Sequence, residues 1–452
     1  MLKKTILAIL FVTLGVIGVW VVFDPKIAPY YKQLTKTRVG LSEDLQPKAQ
    51  KTAHFVGSTT CKKCHEEQYD HWHRSMHSKM IQDVRKDPKA IVADFSKLPD
   101  DADFDRSQIV YTIGSKFKQR YMIPATINGR PDFRLGNYQW NTQTGRWQHF
   151  KPWKYWYHDA YPHDNRRFPT SNTCDGCHFT GYMATGRRVE PAIACENCHG
   201  PGSKHAENPD SPVYKASLSD PIRTDEVCLQ CHLRNRDKRL EKDPDIRKLW
   251  MKAKDYPAGF EPGRPLLKYK LAAPFVMGQE TKEFWPNGAA KKNRTQGNEY
   301  LRDAMYRHGI TCINCHDPHK LTNTAQKSEG NDACMKCHSF NSIIGPHQPS
   351  LEAHTHHKPD SKGSRCIECH MPKTGRHTGK SPLTVRSHMF RFVSPAETKA
   401  FGMPAETNAC YACHQDKSLD QLQADLDRWG ERQWPSQEVL SHYLLKGSKA
   451  YR

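Results

Sequence analysis

The sequence predicts a mostly α-helical chain with long irregular loops and a small β element at about 108–140, its core built from haem groups. Three observations carry this reading. Every one of the 16 cysteines falls in a Cys-x-x-Cys-His unit, the attachment signature of c-type haem. Hydrophobic residues make up only 37% of 452 residues and mean hydropathy is −0.81, too little apolar surface for an ordinary core of that size. Porphyrins supply the apolar surface that side chains lack.

The N-terminus opens with Lys3 and Lys4, then an apolar run of 19 residues from Thr5 to Phe23. This exceeds a signal-peptide core of roughly 7–15 residues and approaches the ~20 needed to cross a bilayer. No small-residue cleavage site follows. The expectation is a signal anchor at 1–23 in the inner membrane, with its basic flank cytoplasmic, a polar stalk at 24–54 and an exported, periplasmic haem domain at 55–452.

The haem units are Cys61/Cys64/His65, Cys174/Cys177/His178, Cys195/Cys198/His199, Cys228/Cys231/His232, Cys312/Cys315/His316, Cys334/Cys337/His338, Cys366/Cys369/His370 and Cys410/Cys413/His414. In each, two thiols bond to the vinyl groups of one porphyrin and the adjacent imidazole supplies the proximal iron ligand. Zinc ribbons pair two Cys-x-x-Cys units around one metal and need no histidine after each. A disulfide framework needs none either. Eight covalent haem c groups are therefore expected.

Between the first and second units, Gln108–Ile123 and Pro131–Trp140 carry β-branched and aromatic residues, with Asn128-Gly129 between them, a hairpin signal. Trp140, Trp147, Trp153 and Trp156 are expected to pack on haem faces. The units at Cys174, Cys195 and Cys228 are spaced by 21 and 33, and those at Cys312, Cys334 and Cys366 by 22 and 32. These intervals suggest duplicated three-haem units at 174–232 and 312–370. After the last unit, Leu419, Leu422, Leu426 and Trp429 recur at helical spacing and Gly430 marks a stop.

The formal charge is +20. Two propionates per haem would contribute about −16 and leave roughly +4, so nucleic acid is not an expected partner. Seventeen of the 25 histidines lie outside the haem units, ample for a second axial ligand on each iron. His354, His356 and His357 in "EAHTHH", and His377, are among the candidates, and Met76, Met371 or Met389 could substitute. Between His205 and His308 the only histidine is His232, itself proximal. If one iron is open, the sequence points first to His232, then to His65 and His178.

The stretches "FVGSTTCKKCHEEQYDHWHRSMHSKM", "CENCHGPGSKH", "YLRDAMYRHGITCINCHDPH", "GSRCIECHMPK" and "NACYACHQDKSLDQL" resemble exported multihaem cytochromes with cytochrome c-552/4 and doubled Cys-x-x-Cys-His domains, over about residues 55–430. The resemblance implies His77, His205, His308, His319, His357 and His388 as distal ligands. It implies electron transfer between a quinol-linked donor and periplasmic or outer-membrane acceptors. The chain is more distantly similar to octahaem hydroxylamine oxidoreductases, nitrite reductases and tetrathionate reductases. The alternative reading is accordingly an octahaem oxidoreductase whose one open haem acts on a small nitrogen or sulfur oxyanion or on hydroxylamine. All eight units end in His, whereas the nitrite reductases of that group use Lys in one.

Overall fold

The computed structural model describes residues 44–151, 166, 168–237, 254–272, 275, 277–319, 331–340, 348–377 and 381–429. The predicted anchor, most of the stalk, Trp153, Trp156 and Gly430 lie outside these. Among the described residues, no helix is long and apolar enough to cross a membrane.

The β element is larger than the sequence signals. Six strands, β1 (Ile81–Asp83), β2 (Tyr111–Ile113), β3 (Lys118–Ile127), β4 (Arg130–Leu135), β5 (Tyr138–Asn141) and β6 (Arg146–His149), form one antiparallel sheet. Strand β3 organises it. Its first residues pair with β5, and Met122 meets Tyr111 of β2 and Leu135 of β4. Asn128 and Gly129 turn β3 into β4 with φ of 51° and 73°, the paired positive values that an Asn-Gly hairpin turn requires. Strands β1 and β2 are three residues each, too short for an alternation to show in sequence.

The sheet has an aromatic core of its own. Trp140 and Trp147 face each other across β5 and β6 at 5.4 Å, and Trp147 packs on Phe95 and Tyr121. The indole of Trp147 donates to the Asp94 carbonyl at 2.9 Å. These two tryptophans, expected on haem faces, instead fill the sheet interior, because β5 and β6 pair them directly.

Elsewhere the helices are short. The longest described is Pro221–His232, which starts with Pro at its first position and Asp220 accepting from the Arg223 amide, both favourable entries. The predicted C-terminal helix is Leu419–Asp427, capped by Ser418 and Gln421, with Leu422 and Leu426 buried. Helices of this length are marginal alone, so their stability comes from what they pack against. Residues 44–54, expected in a free stalk, are docked on the domain. Gln50 is 2% exposed and donates to the His199 carbonyl. Glu196 accepts from the Val56 and Gly57 amides at 3.0 and 2.8 Å.

Candidate functional site: a series of facing imidazoles

Each haem unit is a single tight turn. The amides of His65, His316, His338 and His414 donate to the carbonyls of Cys61, Cys312, Cys334 and Cys410 at 2.9, 2.9, 2.9 and 3.0 Å. A four-residue step in helical geometry puts the first cysteine and the histidine on one face. That is the placement a porphyrin needs if it is bonded at its edge and ligated at its centre.

Among the described residues, six unit histidines are seen facing another imidazole. The pairs are His65 with His205 at 6.2 Å, His232 with His77 at 6.4 Å, His199 with His319 at 6.0 Å, His316 with His388 at 6.4 Å, His370 with His354 at 6.3 Å and His414 with His357 at 6.1 Å. Metal–imidazole bonds of about 2 Å on each side of one ion put ring centres about 6 Å apart. The gaps therefore fit one iron each, with a porphyrin plane between the rings.

The second nitrogen of several rings is already engaged. Nδ1 of His199, His205, His357 and His388 meets the carbonyls of Tyr214, Ser211, Thr355 and Arg386 at 3.1, 2.9, 2.5 and 3.1 Å. Such a contact fixes the tautomer and leaves Nε2 for a metal. Burial pushes His388 down to about 4, which favours the neutral ring and the lone pair that binds iron. Glu299 secures the His388 segment by accepting from its amide at 2.8 Å and from the Ser387 hydroxyl at 2.7 Å.

Five histidines implied by the resemblance, His77, His205, His319, His357 and His388, thus stand opposite a unit histidine. His308 is exposed at the end of helix Ala304–Arg307, outside the six pairs. His354 was only one of three neighbouring candidates in sequence, and it is the one that faces His370. His356 instead stacks on Trp429 at 4.3 Å. His232, the unit the sequence points to first if one iron is open, has His77 opposite it, delivered from 155 residues upstream. His65 is also paired. His178 has no facing imidazole among the described residues.

Thiol contacts give the spatial order of the units. Cys61 contacts Cys195, Cys228 contacts Cys312 and Cys334 contacts Cys366, in each case first cysteine to first cysteine. Between these couples, Cys198 interacts with Cys228, Cys315 with Cys334, and Cys369 with Cys410 and Cys413. The series runs His65, His199, His232, His316, His338, His370, His414. Only Cys177 departs from it, contacting Cys231 through second cysteines, so the His178 unit stands beside the series at His232. The two suggested three-haem repeats therefore differ in their contacts: the first unit of one is a side member, and that of the other is a link. Cys64 and Cys413, at the ends, and Cys337, near the middle, are exposed.

Residues 60–112 and 139–200 match the family described as cytochrome c554 and c-prime, and residues 305–342 match the doubled CXXCH motif. Among solved structures, the chain is similar to the outer cell wall cytochrome OcwA, with 26% identity, a TM-score of 0.61 and coverage of 83% of this chain and 86% of that one. An undecaheme cytochrome from the S-layer of Carboxydothermus ferrireducens matches at 17% identity and TM-score 0.44, over 83% of this chain and 60% of that one. The Wolinella succinogenes octaheme sulfite reductase MccA matches at 16% and 0.39, over 77% and 59%. No curated protein matches the chain.

Proposed function

We propose that this multihaem c-type cytochrome, with its cytochrome c554 and doubled-motif segments, conducts electrons along eight covalently attached haem c groups. The observation that carries the reading is the series of imidazole pairs at one-iron spacing, joined by thiol contacts. A thioether sits on the rim of its porphyrin, so touching cysteines bring neighbouring macrocycle edges together. Two axial imidazoles keep an iron six-coordinate and closed to solvent ligands, which suits transfer and not substrate binding. His205, His319, His77, His388, His354 and His357 are the distal ligands of the six paired units. His308, implied by the resemblance, would serve His338.

Electrons would enter or leave where Cys64 and Cys413 expose the two ends. The apolar run at Thr5–Phe23 would hold the domain at the inner membrane, facing the periplasm, within reach of a quinol-linked donor. Periplasmic or outer-membrane proteins would accept. Similarity to an outer cell wall cytochrome over most of both chains supports export.

A reductive titration of the purified holoprotein, followed by low-temperature EPR, tests this. The expected result is uptake of eight electrons per chain and low-spin ferric signals from at least the six paired haems. Fewer than six low-spin haems would overturn it.

A further inference from the structure

We infer that Trp429 is a positioning residue for the last haem of the series. Through His357 it holds the two axial rings at His414 turned out of parallel, and so makes that haem easier to reduce than parallel rings would leave it. The inference rests on the reading that each facing pair ligates one iron.

The six pairs differ in the angle between their ring planes. It is 1° at His199, 9° at His370, 17° at His65 and 22° at His316, but 43° at His414 and 66° at His232. An axial imidazole donates π density into the iron d orbital that its ring plane selects. Two parallel rings act on one orbital, lift it above its twin and stabilise the ferric hole there. Turned rings act on both orbitals, bring them level and withdraw that stabilisation. Ring orientation is therefore a lever on potential that leaves ligand identity untouched.

A contrast within one segment locates the cause. His354 and His357 lie three residues apart in sequence and face neighbouring units, His370 at 9° and His414 at 43°. His354 is in the helix Leu351–Thr355. His357 follows His356, whose φ of 52° takes the chain out of that helix. Trp429 packs on both residues past the helix. Its ring stacks on His356 at 4.3 Å and 19°, and meets His357 edge to face at 6.3 Å and 81°.

His357 is confined elsewhere as well. Its Nδ1 meets the Thr355 carbonyl at 2.5 Å, and a β-carbon at Gly363 would lie 2.2 Å from its ring. The indole is itself firmly placed. It follows the helix Leu419–Asp427, which buries Leu422 and Leu426, and the Trp429 amide donates to the Leu426 carbonyl at 3.0 Å. A ring held between a carbonyl, a glycine and an indole keeps its angle when the iron changes charge.

Low-temperature EPR of the ferric holoprotein reads the angle, since level orbitals give a widely spread low-spin signal and split orbitals a narrower rhombic one. Among the six pairs, the His232 and His414 haems should give the two widest signals, the second identified by its loss in His357→Ala. Trp429→Ala should narrow the His414 signal to that of the parallel pairs. It should leave the His232 signal unmoved, which also reports that the rest of the chain is folded. Trp429→Phe keeps a ring against His357 and should retain the wide signal. In an EPR-monitored redox titration, Trp429→Ala should lower the reduction equilibrium constant of this haem about threefold, or about 28 mV for one electron. Loss of an apolar neighbour alone would lower it too, so the signal shape decides. A His414 signal in Trp429→Ala that stays wide, or that turns high-spin, would overturn the proposal: in the first case Trp429 does not set the angle, and in the second it holds the ligand on the iron. Fewer than six low-spin haems in the wild type would instead overturn the reading on which the proposal rests.

Discussion

The pockets of His178 and His232 share a wall and differ across it. Their second cysteines, Cys177 and Cys231, touch. Over His232 stands His77, seated where the Ile193 amide donates to its carbonyl at 3.2 Å. Opposite His178 no imidazole stands among the described residues. One unit receives a partner from 155 residues upstream; the other receives none that the described residues show. The lesson is that coordination is decided by what a distant segment delivers.

The strongest way to break the contrast is to remove the lid from the closed pocket. His77→Ala should open the His232 iron and raise carbon monoxide binding by one haem per chain, measured by the ferrous difference spectrum. If the stoichiometry does not rise, another group closes His232 and the comparison fails.

A finer separation uses one glycine from each pocket. A β-carbon at Gly176 would lie 2.1 Å from the Tyr256 ring, and one at Gly297 would lie 2.3 Å from Leu229 in the helix that carries His232. Gly176→Ala and Gly297→Ala should each cost about 1–3 kcal/mol in chemical unfolding. Gly176→Ala should shift the spectrum of the His178 haem. Gly297→Ala should shift that of the His232 haem.

The smallest effect is in pH. Asp175, which anchors Arg188 at 2.5 Å, and Asp225, which accepts from the Cys312 amide at 2.8 Å, serve the two pockets alike. Burial pushes both up to about 6 from an ordinary 3.8. A carboxyl that holds its proton more tightly when folded adds stability below about 4, and loses it as pH rises through about 6. Unfolding midpoints should therefore fall over that window, and Asp175→Asn or Asp225→Asn should each flatten the slope. An unchanged slope in both variants would refute the assignment.

Much of this was legible in the sequence because the signals are local. The Cys-x-x-Cys-His spacing is one helical turn, the Asn128-Gly129 turn needs two positive φ values, and Leu422 and Leu426 mark a helix face. The contrast between His178 and His232 was not legible. Looking for a partner near His232 in sequence found none, since His77 arrives through the fold. Lys118 and Arg120 read as an alternating strand, and strand β3 is what the structure makes of them. Trp140 and Trp147 were misplaced because the extent of the sheet depends on β1, β2 and β6, which are too short to declare themselves.

The second-cysteine contact between Cys177 and Cys231 has a consequence best put as a circuit. On the proposed line, the His178 haem would hang as a branch and the His232 haem would stand in series. Removing the first would leave traffic between the two exposed ends uninterrupted. Removing the second would cut the line and isolate the branch at one stroke.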